Sequence, residues 1–250
     1  SFWEQAQTLS LDEVYDNDGR LLREIFALGD PAGLRVLEIG AGTGRDAVAL
    51  ARAGATVATV DYVVGSLALT AQAAARAAAP LAPVGGDALA LPFADGAFDV
   101  VFHQGLLEHF RDPAPLLREN ARVLRPGGHL IVDVPQKWHY YTLGKKVLIA
   151  LGRWFAGWET EFTPGQLERL VAAQGLRPVR TYGDWLVPGL WYRALRKILL
   201  TRLGVRLPMY PDPWPAWSRL CAAARRRWLR RRAALYTTMT IGVVARKPSA

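Results

Sequence analysis

The chain has 250 residues, of which 51% are hydrophobic, and it carries a net charge of +9. That length fits one domain with insertions around a substantial core, and the composition excludes a disordered chain. No stretch reaches the roughly 18 consecutive apolar residues that span a bilayer, residues 1–5 lack the basic and apolar regions of a signal peptide, and the lone Cys221 excludes an internal disulfide or a cysteine-rich metal site, so a cytoplasmic protein is expected.

In chain order, residues 1–33 read as an N-terminal helical segment, with Leu21, Leu22, Ile25 and Phe26 at helical spacing and Gly29-Asp30-Pro31 ending it. A buried strand at 34–39 runs into a glycine turn, a helix follows at 43–52, and a second strand spans 56–60. An alanine-rich helix extends to about residue 79. Short strands are expected at 83–86 and 98–102, then a helix over 113–124 stopped by Pro126-Gly127-Gly128, and a strand at 129–134. Thr163-Pro164 opens a helix running to about residue 174, and strands are expected at 176–182 and 236–245. Alternating strands and helices with short turns predict an α/β fold with a mostly parallel sheet covered on both faces. The whole chain, 1–250, reads as one domain interrupted by insertions at 135–162 and 184–235.

The most informative passage is Val36-Leu37-Glu38-Ile39-Gly40-Ala41-Gly42-Thr43-Gly44. A strand delivers the chain to a turn where glycines allow positive φ and close approach of a ligand, and the next helix points free N–H groups at the same place. The dinucleotide-binding pattern requires glycine where this chain has Arg45, which disfavours a nicotinamide cofactor. Glu38 beside the turn would repel a pyrophosphate and attract an ammonium group. Asp61 ends the second strand, where a carboxylate can accept both ribose hydroxyls, and Asp87 follows the third, where it can accept from an adenine amino group. Three acidic strand ends around one crevice suit a cationic, phosphate-free nucleoside.

Val36 to Gly44, Asp61, Gly86-Asp87, Phe98-Asp99-Val100-Val101 and Arg122-Val123-Leu124-Arg125-Pro126-Gly127-Gly128 resemble the consecutive motifs of class I S-adenosylmethionine-dependent methyltransferases. The resemblance implies a Rossmann-like sheet of seven strands, the last antiparallel, and S-adenosylmethionine as cofactor. It implies that Glu38, Gly40, Ala41, Gly42 and Gly44 surround the methionine part. Asp61 and Tyr62 would meet the ribose, Asp87, Ala88 and Leu89 the adenine, and His103 and Gln104 would border the site after the fourth strand. Gly105-Leu106-Leu107-Glu108-His109 and the Arg-Pro-Gly-Gly turn resemble a small-molecule group that includes ubiquinone-type O-methyltransferases. Some of that group carry an acid three residues before the Glu-His pair and bind magnesium there. Gly105 stands at that position here, and two ligands hold magnesium poorly, so no metal is expected. The Asn/Asp-Pro-Pro-Tyr signature of many DNA and protein amino-methylating enzymes is replaced by His103-Gln104-Gly105-Leu106.

Methylation of a hydroxyl requires a general base with a pKa near the working pH. The candidates are His103 and His109 at the fourth strand's exit and His139 in the first insertion, beside Trp138, Tyr140 and Tyr141; no single one stands out.

Between Arg193 and Arg232 lie twelve basic residues and one acidic residue, a charge of +11, while the remainder carries −2. Trp191, Ala194, Leu195, Ile198 and Leu199 share one helical face, and Trp217, Leu220, Cys221, Ala224 and Trp228 share another. Three readings follow: lid helices packed on the core with arginines in solvent, a peripheral membrane anchor formed by 185–235, or a grip for nucleic acid. The leading functional expectation is methylation, on oxygen, of a small-molecule or lipid-linked acceptor. An RNA methyltransferase and a non-catalytic membrane-docking protein are the alternatives. Both insertions are expected to fold together over the acceptor side of the crevice.

Overall fold

The computed structural model describes residues 19–154, 158–185, 187–212, 214–229 and 231–249. Much of the expected N-terminal helical segment, residues 1–18, lies outside them. The seven strands are β1 (Arg35–Ile39), β2 (Thr56–Asp61), β3 (Leu81–Gly85), β4 (Phe98–Gln104), β5 (Leu124–Pro135), β6 (Arg177–Asp184) and β7 (Thr240–Arg246). They form one sheet in the order β3-β2-β1-β4-β5-β7-β6. All pairings from β3 to β5 are parallel, and β7 runs antiparallel to both of its neighbours. This is the Rossmann-like arrangement expected from the alternation of elements. Strand order reverses between β1 and β4, the switch point where open α/β sheets bind ligands beyond the carboxyl ends of their strands.

Alternation along the strands divides the core between the two faces. Val36, Val100, Phe102, Ile131 and Val244 pack on one side with Leu21 and Ile25 of α1 (Arg20–Phe26) and Ala47 and Leu50 of α2 (Arg45–Arg52). Leu37, Ile39, Val101, Val132 and Val243 pack on the other with Leu116, Leu117 and Val123 of α4 (Ala114–Val123) and Leu167 and Val171 of α6 (Pro164–Ala172). Between them in sequence, α3 (Val64–Arg76) borders β2 and β3. Thr163 caps α6 in a reciprocal box with Gln166, with Pro164 in the first turn.

Two boundaries differ most from the sequence reading. Pro126-Gly127-Gly128 does not merely separate helix from strand. β5 already starts at Leu124, passes through these residues with a register shift against β4, and is tied to the far end of β7 by Gly127 N–H to the Lys247 carbonyl at 2.9 Å. The expected strand at 236–245 begins only at Thr240, because Arg232–Tyr236 wind into a 3-10 helix whose Ala234 and Leu235 are buried.

The first insertion holds α5 (Tyr140–Ala150), and the second holds α7 (Leu190–Leu203) and α8 (Pro215–Leu229). Among the described residues the two are anchored to different parts of the fold. The first is stitched to the segment after β4 by Thr160 N–H to the Glu108 carbonyl at 2.9 Å. Inside it, buried Lys145 bonds Glu159 at 2.7 Å and lies 3.5 Å from Glu161. The second insertion borders the edge strand β6, where α8 helps enclose a cleft of about 1200 Å³. That cleft is lined by Glu24, Asp184, Arg225, Arg226 and Leu229 among others, and by none of the strand-end residues of the crevice. The physical reason is topological: β6 is two strands beyond β5, so a segment leaving it lies at the sheet's far edge.

Candidate active site

The crevice is assembled from adjacent strand ends. Gly40 N–H donates to the Val60 carbonyl at 2.7 Å, and Gly42 N–H donates to Asp61 Oδ2 at 3.0 Å, joining the glycine turn to β2. Gly86 N–H donates to the Asp61 carbonyl at 3.2 Å, which adds the end of β3. The other Asp61 oxygen accepts from Val63 N–H at 2.8 Å, so two backbone bonds fix this carboxylate. Asp87 Oδ1 accepts from Leu89 N–H at 2.9 Å, which shapes the loop after β3. Glu38, Gly40, Ala41, Gly42, Gly44, Asp61, Asp87, Ala88 and Leu89 therefore cluster at or just beyond the ends of three neighbouring strands. Tyr62 and Leu89 are exposed at the rim.

Gly44 has a φ of 66° and meets Thr70 of α3, which would lie 2.5 Å from an added Cβ. Its conformation and its neighbour both require glycine, and the resulting turn lets α2 start against the crevice.

Glu38 and Asp46 are both buried beside this turn. Burial, then the charge of Asp46, pushes the Glu38 carboxyl well above the usual carboxylate range, while Ala47 N–H, 3.1 Å from Glu38 Oε2, opposes the shift. Two crowded carboxyls favour a cationic ligand, and a polyphosphate would meet like charge. Buried acids beside the turn and carboxylates at the ends of β2 and β3 thus suit, in charge, a cationic nucleoside better than a phosphorylated one.

The three histidines are dispersed. His103 is fully buried in β4, and its Nε2 lies 3.0 Å from Asn120 Nδ2 of α4. Burial drives its pKa down to about 3, which makes it a poor proton acceptor. Strand alternation turns it under α4, away from the exposed rim of the crevice. His139 is the N-cap of α5, where Nδ1 accepts from Tyr141 N–H at 3.3 Å, and burial lowers its pKa. His109 is exposed at the end of the 3-10 turn Leu107–His109.

The sequence reading overlooked Glu108 as a proton carrier, considering it only as a metal ligand. Its carboxyl is buried, and Oε2 has no hydrogen-bond partner among the described residues. Burial raises its pKa to about 8, with the Glu159 charge adding to the effect. The signal in the sequence was a carboxylate in an otherwise apolar run, Leu106-Leu107-Glu108, directly after a sheet strand. Gln104 closes the end of β4, opposite Asp133 of β5.

Residues 37–132 match the family of methyltransferase domains. A demethylmenaquinone methyltransferase of Mycolicibacterium paratuberculosis is 40% identical over 126 residues, covering 49% of this chain and 52% of that one. A second, from Mycolicibacterium vanbaalenii, is 46% identical over 98 residues, covering 39% and 40%. The chain thus spans about half the length, or less, of these curated relatives. Among solved structures, a putative sarcosine dimethylglycine methyltransferase from Galdieria sulphuraria shares the fold with a TM-score of 0.65 at 19% identity, covering 92% of this chain and 85% of that one. With the glycine turn, the acidic strand ends and the seven-strand order in place, the chain resembles a methyltransferase domain over residues 37–132 and has the fold of solved methyltransferases.

Proposed function

We propose that this protein methylates a small, lipid-linked acceptor of the quinone type, at oxygen. The observation that carries the methyl-transfer reading is the Asp61 carboxylate, fixed by Gly42 and Val63 N–H groups between the ends of β1 and β3. The acceptor class is supported by the demethylmenaquinone methyltransferase relatives and by the aromatic first insertion, whose Trp138 and Tyr140 are exposed beside the segment after β4.

The cofactor supplies an activated methyl group, and the protein's part is alignment, which can provide most of the acceleration. Gly40 to Gly44 and Asp61 hold one side of the reaction, and the first insertion covers the acceptor side. Glu108, with a pKa of about 8, is the proposed acceptor of the hydroxyl proton, because its basicity matches neutral conditions. His109, exposed next to it, is the second candidate.

The test is turnover of S-adenosylmethionine with a demethylated lipid quinol, followed by mass spectrometry that locates the new methyl group. An O-methyl product supports the reading, whereas a C-methyl product removes the oxygen assignment. Replacing Glu108 with Gln should lower kcat by about 10²–10⁴ with little change in KM. If kcat and its pH profile were unchanged, Glu108 would not be the base.

A further inference from the structure

The second insertion is amphipathic in the opposite sense to a packed lid. In α8, Trp217, Leu220, Cys221, Ala224 and Trp228 recur at helical spacing and all are exposed, with Trp217 at 61% and Leu220 at 60%. The face turned toward β6 carries Ser218, Ala222, Arg225 and Leu229 instead, with Arg225 Nη1 3.8 Å from Asp184 Oδ1. In α7, Trp191, Ala194, Leu195 and Ile198 are exposed, Trp191 at 75%. The half-buried Arg193 and Arg196 bond the insertion's own backbone, at the Pro188 carbonyl (3.0 Å) and the Leu207 carbonyl (2.8 Å). Both helices thus point tryptophan stripes outward while arginines stitch the insertion from within. Trp214, between them, is also exposed.

We infer that α7 and α8 form a docking surface for an anionic lipid bilayer, into whose interface Trp191, Trp214, Trp217, Leu220 and Trp228 insert. An exposed apolar patch of this kind marks an interaction site, and tryptophan favours the boundary between headgroups and acyl chains. No helix among the described residues is long and apolar enough to cross a membrane, so the contact is a surface one. Charge selects the occupant. Lys197, Arg202, Arg206, Arg219, Arg226 and Arg227 are exposed around the stripes, within a segment of charge +11. A second copy of this surface would bring like charges together, whereas anionic headgroups complement it. This inference goes beyond the proposed reaction and does not depend on the acceptor's identity.

The test uses the full chain with sedimenting vesicles of phosphatidylcholine alone or mixed with phosphatidylglycerol, at low and high salt. Binding should be at least about tenfold stronger to the anionic vesicles and should weaken with salt. Brominated lipids should quench tryptophan fluorescence. The variant W191Q/W217Q/L220Q/W228Q should lose at least about tenfold in vesicle binding and keep its affinity for S-adenosylhomocysteine, since none of these residues lies in the crevice. A chain that stays in the supernatant with anionic vesicles would overturn the proposal without bearing on the methyl-transfer reading. So would unchanged binding of a variant that retains the parent's circular dichroism, a parent that dimerises through these tryptophans, or capture of single-stranded RNA in preference to vesicles.

Discussion

Arg20 reaches 113 positions along the chain to grip Asp133 with both ends of its guanidinium fork, Nε to Oδ2 at 2.8 Å and Nη2 to Oδ1 at 2.9 Å. The carboxylate is 1% exposed and the arginine 11%. The pair pins α1 to the middle of the sheet. The Asp133 carbonyl also accepts from Gly105 N–H at 3.1 Å, so the clamp reaches the segment that carries Glu108.

Removing one partner of this pair should be costly, because it strands the other charge in the interior. Asp133→Ala should lower unfolding stability by about 3–5 kcal/mol, read by urea denaturation. The double replacement Arg20→Met with Asp133→Leu should recover much of that loss. A loss below about 1 kcal/mol for Asp133→Ala would mean that the pair is exchanging with solvent.

Two buried groups should shape the pH dependence of stability in opposite directions. The folded-state pKa of His103 is depressed to about 3, so its contribution is present above the ordinary histidine range and is lost as pH falls toward that value. Glu108 is raised to about 8, so its contribution is present in acid and is lost as pH rises from the ordinary carboxylate range through about 8. Each pKa unit corresponds to about 1.4 kcal/mol. Glu108→Gln should therefore gain stability relative to the parent between pH 5 and 8, and His103→Asn should gain relative to it between pH 6 and 4. Parallel stability curves for parent and variants would contradict these placements.

Much of this was readable from residue order. The run Val36 to Gly44, Asp61 and Asp87 marked three strand ends, and strong local patterns placed all seven strands. The failures have specific causes. Arg125-Pro126-Gly127-Gly128 carries turn residues, yet Leu124 and His129 on either side pair with β4, and the contact to Lys247 holds the intervening bulge within β5. His103 was one of three candidate bases, and its place at a strand exit did not reveal that period-two alternation turns it toward Asn120. The tryptophan stripes of α7 and α8 were visible as stripes. The opposite face of α8 carries Arg225, 3.8 Å from Asp184, a contact 41 positions away that no local pattern encodes.

Turnover should not depend on added metal. Gly105 stands where a third ligand would be needed, leaving only Glu108 and His109. Activity should survive exhaustive chelation, and magnesium should give no stimulation. Loss of turnover on chelation with recovery on adding magnesium would contradict this.

The crevice between the glycine turn and the ends of β2 and β3 is the proposed S-adenosylmethionine site, with Asp61 as the proposed ribose contact. Calorimetric titration of the full chain with S-adenosylmethionine, alongside its Asp61→Ala variant and a parallel titration with NAD, tests it most directly. One saturable site is expected in the parent, with no binding of NAD and a weakening of roughly 2–4 kcal/mol in the variant, the scale of one or two hydrogen bonds to a charged group. Absence of binding, equal binding of NAD, or unchanged affinity in Asp61→Ala would contradict it.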